Sequence, residues 1–404
     1  MPGTQTSINN NFYKVINSLV SQGIGNAIAV TDHDSFIDYG KQLNGVKGSE
    51  IANNFLSALA NRIAQVVELY RGYNGDYSDL YRGSIEYGQT IEQIMYEWYE
   101  SNAAGWTQLN DGETFGTYTI SKPDVAVNYY DKENAYDIEK TIQFEMLKKA
   151  FTSEAELNSF MSGIFGMFTN SNERIREEAR IGMIAGNIIS TVSIITNNSL
   201  VADSSDKLSP VYDLRKCYAT DTGDTTLNNK SFESLLNNEK FIKYTMATIK
   251  KIKTKMTKPS ALFNTSHLSD GPIVTFTPEN AQNTYLAAGL KTAIDAYIIN
   301  TAHYAEGASV LNLDAKSVAY WQSASAPYKI SSGTAEASKT EVDGVVGVVF
   351  DDWACGEYTS VQTMDISPYD AKKRCWQYIF HGLCRYVVNP AANFVVFYIG
   401  APTA

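Results

Sequence analysis

Few residues in this chain have the types and spacing of a catalytic site. Asp351 and Asp352 follow an apolar run that predicts a strand, and Glu357 lies close by in the sequence. A pair of carboxyl groups is what glycoside hydrolysis needs. Adjacent residues of a strand point to opposite faces, however, so Asp351 and Asp352 cannot both face one substrate without a bend. The pattern therefore gives only weak support to an enzyme.

Two further arrangements of reactive residues are weaker still. His381 and Cys384 are three residues apart, so they meet only if that segment is helical, and a buried cysteine is the simpler interpretation. Residues 23–25, Gly-Ile-Gly, lack the third glycine and the preceding strand of a phosphate-binding loop. The four cysteines and four histidines have no metal-ligand spacing. We expect no enzyme activity, no cofactor, no metal, and buried free thiols in a reducing compartment.

Composition favours a protein that contacts other proteins. Of the 404 residues, 44% are hydrophobic but only 19% are charged, and 26 are tyrosines. Low charge with many aromatic residues distinguishes interface cores from ordinary surface. The net charge of −11 argues against a protein that reads nucleic acid, which would be basic. It is compatible with a protein that lies beside DNA without adhering to it.

Neither the N-terminal residues nor the apolar segment 181–202 predicts insertion into a membrane. The N-terminal residues lack the basic region and apolar run of a secretory signal. Residues 181–202 carry no formal charge, but they include Asn187, Thr191 and Asn197, which makes them too polar for a membrane span. The length suits two or three domains.

Helical periodicity and capping residues predict most of the helices. The predicted segments are 49–68, a short helix over 90–98, one helix opened by Ser153 and Glu156, a second from about Asn172, a lysine-rich helix over 240–258, and one from Thr277 to about 302. Residues 197–238 are polar and predict a loop-rich insertion. β-Branched and aromatic runs predict strands at 117–130, 345–350, 358–366, 375–388 (partly helical) and 394–399. The class is therefore α+β.

The stretch 70–136 is unusual because it holds eleven of the tyrosines and no long apolar run. A long connection without its own core is uncommon in a compact domain. Tyrosine argues against disorder, because it carries large and stiff contact surface. We therefore predict an ordered arm that lies on another surface, with a turn at 131–134.

The lysine-rich helix has seven lysines and no acidic residue between 240 and 258. Such a face contacts either phosphates or an acidic protein surface. In a chain of net charge −11 the second interpretation is favoured.

Several runs, in order, resemble the major capsid proteins of small short-tailed phages of the phi-29 type. They are NFLSALANRIAQVV (54–67), YGQTIEQI (87–94), KPDVAVNYYDKENAYDIEKTIQ (122–143) and WQYIFHGLCRYVVNPAANFVVF (376–397). The runs cover the first two-fifths and the last tenth of the chain. The resemblance implies an α+β Hong Kong 97-type capsid fold. The implied regions are an N-terminal arm (1–48), a peripheral-domain helix (49–70), an extended loop (71–142), a peripheral domain with a long spine helix (143–200), an axial domain (201–340), and return strands of the peripheral and axial core (341–404).

The implied function is that of a major capsid protein, whose copies form the icosahedral head of a tailed phage around double-stranded DNA. The implied partners are other copies in hexamers and pentamers, a portal protein and nearby DNA, with assembly in the bacterial cytoplasm. No long charged N-terminal extension that could act as a built-in scaffold is seen, so a separate scaffolding protein is expected. The C-terminal immunoglobulin-like domain that members of the family can carry is not seen either, so surface decoration by that domain is not expected. The expected subunit contacts are Tyr73, Tyr77, Tyr81, Arg82, Asp131, Lys132, Glu133, Lys250, Lys251, Lys253 and Lys255.

Two alternatives remain open. Another virion protein, such as a portal or tail subunit, shares the composition but forms rings of small fixed number. A secreted carbohydrate-active enzyme is favoured only by the tyrosines and the acidity, and it requires the secretory signal that is not seen.

Overall fold

The computed structural model describes residues 73–86, 89–96, 125–130, 132–146, 154–266, 273–302, 313–332 and 340–401, with Ser35 and Asp38. The predicted N-terminal arm, apart from Ser35 and Asp38, and the predicted helix over 49–68 lie outside the described residues, as does Asp131. The strand prediction for 117–130 and the turn prediction for 131–134 are covered only in part.

Two sheets organise the described part of the chain. A four-stranded sheet has the order β1-β11-β12-β4, and a five-stranded sheet has the order β5-β13-β10-β6-β7. Two ribbons, β2-β3 and β8-β9, complete the strands. The bounds are β1 Tyr81–Ser84, β2 Ile91–Tyr96, β3 Val125–Tyr130, β4 Glu133–Gln143, β5 Val211–Asp213, β6 Gln282–Ala287, β7 Lys316–Val318, β8 Ile330–Ser332, β9 Thr340–Val342, β10 Val345–Asp351, β11 Cys355–Ile366, β12 Cys375–Val388 and β13 Phe394–Tyr398.

The helices cover both faces of the five-stranded sheet. Their bounds are α1 Glu154–Asn197, α2 Leu214–Thr222, α3 Phe232–Leu236, α4 Glu239–Met256 and α5 Ala288–Ala302. One buried cluster joins α1 to Val345, Val348 and Phe350. A second cluster joins α4 and α5 to Val346 and Val349. Successive residues of β10 thus enter opposite clusters, as strand geometry requires, and the register shift between Val345 and Gly347 moves the alternation by one residue.

The two helices predicted near Ser153 and Asn172 are one helix of 44 residues, so that prediction was wrong. No proline interrupts the run, and the charged turns between the two apolar stretches are held by ion pairs along the helix, such as Arg174–Glu178 at 3.0 Å. Its part Gly166–Asn197 is long and apolar enough to cross a membrane. Half of its most apolar window is buried, however, and Ile184, Ile188 and Ile195 are completely buried in the fold, as in a core helix.

Three other predictions were wrong because pairing between distant strands overrides local pattern. The helix predicted over 90–98 is β2, which pairs with β3 from Ile91↔Tyr130 to Tyr96↔Val125. The helix predicted from Thr277 begins only at Ala288, because the apolar residues before it form β6 between β10 and β7. The segment 375–388 is wholly strand, since β12 is flanked on both sides by β11 and β4.

Other predictions are confirmed or refined. The lysine-rich helix is α4, whose N-cap Asn238 accepts a hydrogen bond from the Phe241 N–H at 3.1 Å. The polar insertion 197–238 contains β5, α2 and α3, with Asp213 as the N-cap of α2. All four cysteines are buried free thiols, as predicted.

The arm is not coreless at its start. Tyr77 and Leu80 have no exposed surface and belong to the cluster around α1. The rings of Tyr77 and Tyr285 lie 5.4 Å apart. In the sequence Tyr77 and Leu80 are separated by the polar residues Ser78 and Asp79, so no apolar run indicates that they are buried.

Candidate assembly surfaces

The acidic residues that the sequence offered as a carboxyl pair are used for structure. Glu357 is completely buried, and its two carboxylate oxygens lie 2.5 Å from Nε of Arg176 and of Arg180. Glu173 lies 2.7 Å from Arg180 on the same helix. These contacts fix α1 to β11, and they leave Glu357 without access to a substrate.

The two aspartates shape a turn between β10 and β11. Asp351 Oδ1 accepts a hydrogen bond from the Trp353 N–H at 2.8 Å, and burial raises the pKa of its carboxyl group. Asp352 Oδ1 accepts from Asn283 Nδ2 at 2.5 Å and lies 3.4 Å from Arg82. Adjacent aspartates thus serve different neighbours, and the residue they present to solvent is Trp353, which is 75% exposed.

The histidine and cysteine of the C-terminal sheet do not form a dyad. Both lie on β12, where residues three apart point to opposite faces. His381 Nδ1 lies 2.6 Å from Asp137 on β4. Burial raises the pKa of the completely buried Cys384 thiol to about 11, which keeps it protonated and unreactive near neutral pH.

The predicted contact residues at the base of the arm bind the chain itself. The Tyr81 hydroxyl shares a hydrogen bond of 3.0 Å with Thr359, and the Arg176 guanidinium lies 4.9 Å from its ring centre. Arg82 donates to the Asp352 carbonyl at 2.5 Å. The Tyr73 N–H donates to Asn170 at 3.0 Å while its side chain remains 52% exposed.

Three further predicted contact residues differ in their exposure. Tyr77 is corrected: its side chain has no exposed surface with which to contact another subunit, because it packs in the core. At the end of the arm Lys132 is exposed, whereas Glu133 pairs with Arg385 on β12, with Nε of the arginine 3.1 Å from the carboxylate.

The β2-β3 ribbon is fastened at one end and open along one face. The Tyr130 hydroxyl lies 3.1 Å from the Val388 carbonyl, and Arg385 donates to the Gln89 carbonyl. Side chains that alternate on the other face remain exposed. They are Glu92, Ile94, Val127 and Tyr129. Apart from Glu92 this face is apolar and aromatic, and within the described residues it is available for contact with another surface.

The lysines of α4 divide into three groups: two that pair with Asp206, one that is half-buried, and the exposed ones. Lys251 lies 2.7 Å and Lys255 3.6 Å from Asp206, which belongs to the loop before β5. Burial lowers the pKa of Lys253, and the nearby acidic side chains of Asp314 and Glu279 raise it in part. The exposed lysines lie on one stripe, at Lys240, Lys243, Lys250 and, just after the helix, Lys258. Four lysines predicted as contacts thus include two that the chain itself neutralises.

Sequence reasoning missed Trp353, Asp206 and the buried pairing of Glu357. The charged run NERIREEAR on α1 could have indicated the last of these, since a charged segment inside an apolar helix needs partners. The pairing of Asp206 with lysines 45 or more residues away leaves no local signal.

Comparison with known proteins gives one family and one shared fold. The sequence profile of the family described as Phi29-like phage major capsid protein matches residues 14–398. The major capsid protein of Bacillus phage GA-1 is 26% identical over 125 residues, which are 30% of this chain and 25% of that protein. That of Bacillus phage PZA is 26% identical over 163 residues, 38% of this chain and 36% of that protein. The matched stretches thus span about a quarter to a third of these relatives.

The capsid structure of Staphylococcus phage Andhra is similar in fold, with a TM-score of 0.52 at 11% sequence identity. The similarity covers 82% of this chain and 86% of that one.

Proposed function

The chain belongs to the family of Phi29-like phage major capsid proteins, and from this membership we propose that its copies build the head shell of a tailed phage. The family match over residues 14–398 carries the proposal. The expected family and the α+β Hong Kong 97-type fold are both confirmed. The shell is proposed to be icosahedral, with hexamers and pentamers of this chain enclosing the genome.

The regions expected from the family resemblance remain part of the proposal. The β2-β3 ribbon lies within the proposed extended loop, and its exposed Ile94, Val127 and Tyr129 support a contact with the adjacent subunit. The contacts of Tyr81 and Arg82 support a fixed base for that loop. The other proposed regions are the N-terminal arm, the spine helix within α1, and an axial domain over 201–340.

The exposed lysines of α4 are proposed to meet an acidic surface of a neighbouring subunit rather than DNA. The chain carries 44 acidic residues against 33 basic ones, so its copies offer many acidic surfaces. The pairing of Lys251 and Lys255 with Asp206 inside the chain supports this proposal, because it gives an example of α4 lysines bound to a carboxylate.

A scaffolding protein, a portal protein and the packaged DNA are proposed as the remaining partners, with assembly in the bacterial cytoplasm. DNA is proposed as a non-specific neighbour. A net charge of −11 lets DNA lie beside the shell without adhesion.

Electron microscopy of the full chain, expressed with and without its candidate scaffolding protein, tests the proposal. We expect closed shells of uniform diameter when both are present. Rings of small fixed number would contradict the shell and favour a portal or tail subunit. Uniform, full-size shells from the lone chain would remove the scaffolding protein from the proposal and leave the shell.

A further inference from the structure

The four-stranded sheet carries three exposed carboxyl groups on the face opposite α1. The helix packs on the other face, where Phe168 meets Tyr378. Asp137 and Glu139 lie on β4, and Asp365 lies on β11 in the same row of the sheet as Glu139. Neighbouring strands lie about 4.8 Å apart and alternate residues of a strand about 7 Å apart, so the three Cα atoms lie within roughly 12 Å of one another. These three residues are called the acidic sheet patch below.

The charges around the acidic sheet patch leave it negative. His381 lies between two of its members, with Nδ1 2.6 Å from Asp137 and Nε2 3.5 Å from Asp365. In the described part of the chain no lysine or arginine forms an ion pair with the three carboxyl groups. Lys140 leaves β4 on the face of α1, opposite Tyr378. The cations beyond the end of the patch, in the turn between β11 and β12, are Lys372, Lys373 and Arg374. Even a protonated His381 therefore leaves an excess of negative charge on the patch.

The exposed side of α4 carries the complementary charge. Beyond Lys240 its exposed lysines are Lys243, Lys250 and Lys258, which are called the lysine stripe below. They follow one another at intervals of seven and eight residues, which are roughly 10 and 12 Å in a helix. This spacing matches that of the acidic sheet patch, so two successive lysines can each face one carboxyl group.

The acidic side chains near α4 lie close to its other lysines. Asp206 lies beside Lys251 and Lys255, Asp314 and Glu279 beside Lys253, and Asp224 and Glu239 beside Lys240. The lysine stripe therefore keeps an excess of positive charge, although the chain as a whole is acidic.

The two surfaces belong to different layers of the fold. Helix α4 packs against α2, α3 and α5, whereas the four-stranded sheet packs against α1. A chain that carries a basic surface and an acidic one can join its copies head to tail, because each stripe attracts the patch of the next copy. We propose that the lysine stripe of one copy binds the acidic sheet patch of a second copy. The inference rests on the proposed function, and it names the acidic surface that the lysines of α4 meet.

Charge reversal on both surfaces tests the contact. Lys243→Glu with Lys258→Glu reverses one member of whichever successive pair of lysines is used, and Asp137→Lys with Glu139→Lys reverses the patch. Either double variant alone should raise the subunit concentration needed for association roughly 30-fold, because attraction becomes repulsion. An equal mixture of the two double variants, or all four substitutions in one chain, should return that concentration to within about threefold of the wild-type value.

The matched control combines the lysine reversals with Asp203→Lys and Glu178→Lys. These carboxylates are 63% and 62% exposed and lie outside the acidic sheet patch. Their reversal changes the net charge by the same amount and should restore nothing. Circular dichroism checks that each variant is folded. If a reversed variant does not fold, the neutral variants Lys243→Gln with Lys258→Gln and Asp137→Asn with Glu139→Gln give the same test, and their combined loss should be less than the sum of the separate losses.

The outcomes separate this contact from the shell. Closed wild-type shells without any restoration between the two double variants, or with additive losses in the neutral variants, would overturn the contact and leave the shell intact. Restoration in a chain that forms only small rings would support the contact while contradicting the shell. Lysine reversals that assemble at the wild-type concentration but lose DNA would assign the stripe to DNA and overturn the inference. A loss that occurs only in the presence of the scaffolding protein would assign the stripe to that protein and overturn it equally.

Discussion

Neutralising Glu357 is expected to loosen the attachment of α1 to the four-stranded sheet. In Glu357→Gln both arginines keep their positions but lose a completely buried carboxylate at 2.5 Å. Glu173 still lies 2.7 Å from Arg180 and 3.7 Å from Arg176, so part of the charge remains compensated. Removing one partner of a buried pair costs about 3–5 kcal/mol. Because of Glu173 we expect the lower end, about 3 kcal/mol.

That loss is a large part of the stability of an ordinary protein, about 5–15 kcal/mol. Urea unfolding of the unassembled subunit, followed by circular dichroism, should therefore show a clear fall in the midpoint without a change in slope. The matched control is Glu178→Gln on the same helix, where the pair with Arg174 has the same chemistry at 3.0 Å. There the side chains are 76% and 62% exposed, and we expect less than about 0.5 kcal/mol.

A double-mutant cycle separates the pair from its surroundings. Arg180→Met combined with Glu357→Leu removes one arginine and the shared carboxylate, and a buried ion pair replaced by apolar residues is often tolerated. Arg176 remains, with Glu173 at 3.7 Å as its partner, in both the double variant and Glu357→Leu, so its loss cancels in the cycle. The double variant should thus be more stable than the sum of the single losses predicts, with a coupling energy of about 1–3 kcal/mol. If Glu357→Gln cost no more than the surface control, the cluster would not be what holds α1 to β11.

Three further predictions follow from the same contacts. Replacing residues 91–131 by a short linker should give a folded subunit that does not close shells, because Arg385 binds Gln89 and Glu133 on the two sides of the cut. A deletion that starts at Gly75 should instead give an unfolded subunit, without a cooperative transition in a urea titration, because it removes the buried core residues Tyr77 and Leu80. Burial opposes ionisation of Asp221, but hydrogen bonds lower the pKa of its carboxyl group to about 2. The ionised group therefore stabilises the folded state above pH ~4, and this stabilisation is lost towards pH 2. Asp221→Asn should remove at most about 1 kcal/mol of that acid-dependent stability, and an acid-unfolding curve equal to that of the wild type would contradict the assignment. Lys243→Gln with Lys258→Gln should reduce shell yield more than DNA retention, and normal shells that leak DNA would assign these lysines to DNA instead.

The sequence predicted elements whose signals are local. The lysine-rich helix was predicted to within two residues because its periodicity lies inside the segment and a proline follows it directly. The strands β10 and β13 were predicted from continuous β-branched runs. The helix predicted in place of β2 failed because TIEQIMYEW suits either structure, and its partner β3 lies about 30 residues further on.

The candidate site was predicted less completely than the fold, for a related reason. An exposed residue leaves no periodic pattern, so Trp353 has the same sequence context whether it is buried or in solvent. Tyr77 shows the opposite error: the tyrosine-rich arm predicts surface, but a single tyrosine can enter a core without any apolar neighbour in the sequence.

The tyrosines described in the arm have three different tasks, and this division explains why tyrosine suits it. Tyr77 fills the core, while Tyr81 and Tyr130 bind the body of the chain through their hydroxyl groups. Tyr129 is 61% exposed on the ribbon. One side chain type can do all three because it joins a large apolar ring to a neutral polar end. An acidic chain gains from such neutral contacts wherever no lysine faces the contact, since an additional carboxylate there would increase the repulsion between copies. Tyr129→Asp should therefore weaken association more than Tyr129→Ala, and equal losses would show that only ring area matters there.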